Sequence, residues 1–255
     1  MRLFAIENIS FRYRKKEIIS NLSLSFKRGR VASLLGPNGS GKTTLLKLLL
    51  GIHSPRQGNI SFEGRVLQEI PHKEFSRRVA YVPQIHRESF AYTVEDVVLM
   101  GRMPHKPFFS HFSKDDRDMA MHALKRLNII HLKDKPYTEV SGGERQLTLI
   151  ARALTQGADT FIMDEPGNGL DFGNQFRLLD QISGLAQDGY TFIFSTHFPD
   201  HALLAADRVV MLKEGDVIAD GSPKETITPE TMLTLYGINA GVVEVCGRHM
   251  VCVSD

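Results

Sequence analysis

Gly36-Pro37-Asn38-Gly39-Ser40-Gly41-Lys42-Thr43-Thr44 decides how this chain is read. The run fits G-x-x-x-x-G-K-[ST], a loop whose backbone N–H groups converge on phosphate oxygens. Glycines permit that close approach. Lys42 has the reach to meet β- and γ-phosphates, and the Thr43 hydroxyl suits a Mg²⁺ ligand. Both flanks agree. Val31-Ala32-Ser33-Leu34-Leu35 reads as a short buried strand. Leu45 to Leu50 reads as a helix, with Gly51 as its natural stop. Strand, glycine loop and helix N-terminus together make an anion site. A chance glycine-rich turn would explain the loop but not its flanks.

Working outward, the 255 residues and 42% hydrophobic content suit one large α/β domain, or a core with a subdomain. A net charge of +2 gives no argument for a nucleic-acid partner. The opening apolar run is too short for a signal peptide, and no run approaches the roughly 18 apolar residues of a membrane span. A membrane role would therefore come through a partner. The two cysteines, Cys246 and Cys252, flank Gly247-Arg248, and a hairpin there would bring them near one another. Two cysteines make no disulfide framework, so both are expected reduced, as small apolar residues.

The first third is rich in strand patterns: Leu3 to Phe11, Leu22 to Phe26, Asn59 to Phe62 and Val79 to Val82. Thr93 then caps a helix from Val94 to about Met100. A loop bearing Pro104, Pro107, Phe108, Phe109 and Phe112 follows. These aromatics read equally as a plug under the helices or as a docking surface. Ser113 and Asp116 open the next helix as a capping box. Strands at Thr160 to Met163, Tyr190 to Ser195 and Val209 to Leu212 then alternate with helices, as in a parallel sheet with crossovers. The expected division is an α/β core over residues 1–84 and 159–236, a helical subdomain over 85–158, and a hairpin-like tail over 237–255.

Two further runs carry chemistry. The apolar strand Thr160 to Met163 ends in Asp164-Glu165. Ligands in open α/β sheets sit beyond strand carboxyl ends. There Asp164 can hold Mg²⁺ and Glu165 can orient or deprotonate water. Ser141-Gly142-Gly143-Glu144-Arg145-Gln146 combines a capping box with two glycines, which leave helix N–H groups open to an anion. By itself that run also suits an ordinary capped helix.

Taken in order, the phosphate loop, Ser141 to Gln146 and Asp164-Glu165 resemble the nucleotide-binding subunits of ABC transporters over nearly the whole chain. The resemblance implies a P-loop NTPase (RecA-like) α/β core with an antiparallel β part and an inserted helical subdomain. It implies ATP and Mg²⁺ as cofactors and ATP hydrolysis as the activity. Gly36 through Thr44 would hold the phosphates, with Lys42 also catalytic. Thr43, Gln84 and Asp164 would serve the metal. Tyr13 matches the aromatic that stacks on adenine, Gln84 the glutamine that senses metal and water, and His197 the switch histidine near the γ-phosphate. Ser141, Gly142 and Gly143 match the residues that contact the γ-phosphate of the other protomer, and Asp171 the aspartate that crosses the dimer interface.

The implied partners are a second copy in the ATP state, two polytopic membrane permease subunits and, indirectly, an extracytoplasmic substrate-binding protein. The implied location is the cytoplasmic face of the cell membrane. One segment departs from the family pattern: Gly167-Asn168-Gly169 replaces the usual Thr-Ser-Ala type of trio. Val94 to His105, Leu235-Tyr236-Gly237-Ile238 and the tail resemble the branch that imports iron–siderophore, haem, cobalamin or molybdate. The alternatives are a soluble ABC-type ATPase outside any transporter, an importer of different cargo, or a small-molecule P-loop kinase. The kinase does not account for Ser141 to Gln146.

Overall fold

The computed structural model describes residues 2–84, 92–107 and 110–253. Two long antiparallel strands open the chain, β1 (Arg2–Tyr13) and β2 (Lys16–Lys27). Phe4, Ile6 and Ile9 of β1 and Ile19, Leu22 and Phe26 of β2 are buried. Register shifts between Ile6 and Phe11 break strict alternation, as bulges do. β3 (Val31–Leu35) is buried at every position and enters the phosphate loop, and α1 (Lys42–Leu49) leaves it. β4 (Gln57–Phe62) pairs with β1, and β5 (Arg65–Val66) forms the edge of this four-stranded sheet. A short α2 (His72–Phe75) leads to β6 (Val79–Val82).

Three helices follow: α3 (Val94–Leu99), α4 (Lys114–Arg126) and α5 (Gly142–Thr155). Each begins with a reciprocal capping box, at Thr93/Asp96, Ser113/Asp116 and Ser141/Glu144. β7 (Thr160–Met163), α6 (Phe172–Gln187), β8 (Thr191–Thr196), α7 (Pro199–Ala205), β9 (Arg208–Lys213) and β10 (Asp216–Gly221) complete the core. The chain ends in α8 (Pro223–Thr226), α9 (Pro229–Tyr236) and a hairpin of β11 (Ala240–Val245) and β12 (Arg248–Val253).

The six-stranded sheet runs β10-β9-β3-β8-β7-β6. All its pairings are parallel except that of β10 with β9. β3, β8 and β7 are therefore consecutive neighbours. Their carboxyl ends deliver the phosphate loop, His197 and Asp164-Glu165 side by side.

The stretch after α3 tightens into a 3₁₀ turn over Met100–His105. It is fastened to the far end of α5. A Cβ on Gly101 would lie 2.1 Å from the Arg152 carbonyl oxygen, so only glycine allows this approach. Arg102 Nη1 donates to the Thr155 carbonyl (3.1 Å), and His105 Nε2 donates to the Gln156 carbonyl (2.8 Å). Phe112 is partly buried against the larger core cluster, on the plug side of the two readings of the aromatic loop. Phe108 and Phe109 lie outside the described residues.

The hairpin corrects the reading of the cysteines. Cys246 sits in its turn, whereas Cys252 pairs with Gly241 well down the ladder. The hairpin separates them rather than joining them. Both are free and exposed, not packed as small apolar residues.

Asp116 is buried at the start of α4. Burial alone would raise its pKa. The Lys106 ammonium, the Ser113 N–H and hydroxyl and the Arg102 guanidinium (2.9 Å) outweigh that and hold it well below the ordinary carboxylate range. A depressed folded-state pKa stabilises above the unfolded value and loses that stabilisation as pH falls below it. Asp116→Asn is accordingly expected to lower the melting temperature most at pH 7 and progressively less as pH falls below about 4, with the difference plain near pH 2. Equal losses at both pH values would contradict this role.

Candidate functional site

The phosphate loop closes on a buried cation. Lys42 is 4% exposed. Its Nζ donates to the carbonyls of Gly36 (2.7 Å) and Pro37 (3.0 Å) and lies 3.8 Å from Glu165 Oε1. Burial lowers its pKa, and the carboxylates of Glu165 and Asp164 work against that fall. Gly41 is the N-cap of α1, at φ 103°, and supplies no side-chain cap. The first-turn N–H groups thus keep their capacity for an anion.

Asp164 is 5% exposed. Its Oδ1 accepts from Thr43 Oγ1 (3.0 Å) and from Ser195 Oγ (2.6 Å). Ser195 Oγ in turn accepts the Glu165 N–H (2.9 Å). One serine at the end of β8 thus positions both acidic residues at the end of β7.

Glu165 stands at φ 44°, a left-handed conformation that costs a non-glycine residue energy and turns its side chain to the cleft. Its Oε2 accepts from Gln84 Nε2 (3.4 Å) and Asn168 Nδ2 (3.2 Å). His197 Nδ1 lies 3.2 Å from the same oxygen, without hydrogen-bond alignment. Lysine, glutamine, asparagine and histidine therefore converge on one carboxylate. The adjoining cleft, of about 440 Å³, is lined by loop residues with Lys16, Ile18, Gln84, Glu165 and Asn168.

Other expected residues lie apart. Tyr13 ends β1, is 41% exposed, and holds His53 Nε2 through its hydroxyl (2.8 Å); it does not line the cleft. Ser141, Gly142 and Gly143 begin α5 and do not line it either. Gly143 packs on Asn174, and Gly142 lies against Leu170. Asp171 caps α6, accepting from the Asn174 N–H (2.8 Å) and Nδ2 (2.6 Å). Within one chain, then, Ser141 to Gly143 sit beside the Asp171 segment and not beside Lys42. Sequence reasoning missed Lys16, Ile18, Asn168 and Ser195. Ser195 had a signal, standing two residues before His197 at a strand end.

A parallel sheet with a glycine loop between β3 and α1, and an acidic strand end hydrogen-bonded to it, define a P-loop nucleoside triphosphatase. The comparisons narrow this. The ABC transporter family model matches residues 19–168. The chain is 33% identical to the ferric enterobactin transport ATP-binding protein FepC of Escherichia coli strain K12, over 96% of this chain and 92% of that one. It is 35% identical to the molybdate import ATP-binding protein MolC of Haemophilus influenzae, over 92% and 88%. A solved metal-chelate type ABC transporter, in an inward-facing conformation, superposes with a TM-score of 0.88 at 32% identity, covering 99% of this chain and 96% of that one. This chain belongs to the ABC transporter family. It is an ATP-binding, ATP-hydrolysing subunit, and the small-molecule kinase reading falls.

Lys42→Ala removes the cation under the loop. Because ligand stabilisation tracks affinity, the rise in melting temperature on adding Mg-ATP is expected to shrink or vanish. An undiminished rise would overturn the role given to Lys42.

Proposed function

We propose that this chain powers uptake of a metal chelate or related oxyanion through two polytopic permease subunits. Loading from an extracytoplasmic binding protein fits that reading. The cargo class is supported by relatives named for ferric enterobactin and molybdate and by the metal-chelate type transporter. No helix among the described residues is long and apolar enough to cross a membrane, so attachment to the cytoplasmic face would be peripheral. Residues 1–84 and 159–236 act as the core, 85–158 as the permease-facing subdomain, and 237–255 as a tail.

The observation that carries the mechanism is the convergence of Lys42, Gln84, Asn168 and His197 on Glu165. Glu165 holds and polarises the attacking water, and His197 and Gln84 steer its carboxylate. Lys42, already partnered by carbonyls, faces the β/γ-phosphates. The donor set suits Mg²⁺: a hydroxyl and a carboxylate 3.0 Å apart, at Thr43 and Asp164, with Gln84 nearby. Bound Mg-ATP supplies the phosphoryl group that passes to water. Catalysis by the protein is then positional and electrostatic. Tyr13 serves the adenine end.

Ser141, Gly142 and Gly143 complete the site of a second copy, and Asp171 crosses the interface. Their distance from their own cleft supports this head-to-tail dimer in the ATP state. The soluble-ATPase alternative has no observation in its favour.

Glu165→Gln is expected to retain ATP binding and to lower hydrolysis by ~10²–10⁴, the scale of a lost general base. Hydrolysis at the parent rate would remove Glu165 from this role.

A further inference from the structure

His201 is a buried imidazole that the hydrolytic mechanism leaves unused. It lies on α7 at 6% exposure. Its Nε2 is 3.2 Å from Gln175 Oε1 on α6. A carbonyl oxygen only accepts, so Nε2 carries the hydrogen. In the neutral ring Nδ1 is then an acceptor, and it stands 3.2 Å from Thr196 Oγ1. Thr196 Oγ1 also accepts the Phe198 N–H (3.0 Å). At the other end, Gln175 Nε2 donates to the Leu170 carbonyl (3.0 Å). That last bond fixes the orientation of the amide, and with it the tautomer of the ring.

The Thr196 hydrogen has two acceptors in reach, His201 Nδ1 at 3.2 Å and the Phe198 carbonyl at 3.5 Å, and the nearer one completes a line with a consistent donor direction: Phe198 N–H, Thr196, His201, Gln175, Leu170 carbonyl. One end brackets His197. The other stops one residue before Asp171. We propose that His201 and Gln175 are positioning residues that tie the strand end carrying His197 to the loop carrying Asp171, so that the two move together. The proposal rests on the reading that His197 and Asp171 act in hydrolysis.

Two observations support it. Burial pushes the His201 pKa down to about 4, with His197 acting in the same direction and Asp200 and Glu165 opposing. The ring thus stays neutral in the working range, and Nδ1 keeps its acceptor lone pair. Gly167 supplies the room. A Cβ at that position would lie 2.8 Å from His201 Cε1. Gly167 begins the trio that departs from the family pattern. The small residue and the imidazole are therefore a matched pair, which gives the departure a physical reason.

The test is a double-mutant cycle on ATP hydrolysis by the purified chain, with Gln175→Leu, His201→Leu and the double variant. Melting temperatures are read in parallel, and Glu165→Gln serves as control. Each single change is expected to lower kcat roughly tenfold with the KM for ATP within about twofold, the scale of a lost coupling contact. The double variant should fall no further than the worse single one, because either change cuts the same line. Multiplied losses in the double variant would overturn the proposal, as would a raised KM at unchanged kcat. Should His201→Leu fail to fold, the half-buried Gln175 decides: parent kcat in Gln175→Leu would be fatal. Parent-level turnover in the Glu165→Gln control would instead sink the functional reading, and the proposal with it. An inactive control beside a normal Gln175→Leu overturns the line alone.

Discussion

A lysine ammonium held in a nearly closed loop is the constraint on which the rest depends. Taking a charge out of water is costly unless its surroundings replace the lost solvation. Two backbone carbonyls and the carboxylates of Glu165 and Asp164 do so around Lys42. The carbonyls belong to the loop itself and the carboxylates to the end of β7, so the full set forms only when the sheet is assembled. The wholly buried β3 anchors the loop, β8 lends Ser195 and His197, and β7 ends in the acidic pair. The strand order that makes these three neighbours is thus a functional requirement as well as a packing result.

The helical region is tied to this site mechanically. α5 begins at the Ser141 cap and ends beside Gln156, a span of about 21 Å for its length. Gln156 donates to the Val79 carbonyl of the core (3.1 Å), and its own carbonyl accepts from His105. Arg102 grips the last turn of the same helix. A displacement of the Met100–His105 turn would therefore be carried along α5 toward Ser141. Under the proposed function, this links the permease-facing subdomain to the site of a second copy.

Much of this was legible in sequence because it is local. The cap at Thr93 and the capping boxes at Ser113 and Ser141 depend on residues close in sequence, and all three formed, the first also as a box with Asp96. The strands around the phosphate loop and Asp164-Glu165 were likewise set by short apolar runs between breakers. What escaped was long-range or conformational. The left-handed backbone of Glu165 has no marker in residue type. Ser195 and Asn168 act through neighbours distant in sequence or through a turn whose shape was unknown. The match of Gly167 with His201 spans two segments, so Gly167 alone read as a mere softening of the loop. The cysteines were misplaced for the same reason, since the position of the turn fixed their separation.

The central claim is that one chain holds only half of each catalytic site. It is tested most directly by mixing two defective chains, Ser141→Arg and Lys42→Ala, and measuring their association with Mg-ATP by sedimentation velocity. One of the two composite sites in the mixed dimer joins the intact Lys42 of one chain to the intact Ser141 of the other. ATP-dependent dimers are expected in the mixture and in neither chain alone. Normal ATP-dependent dimerisation of the Ser141→Arg chain by itself would contradict the account.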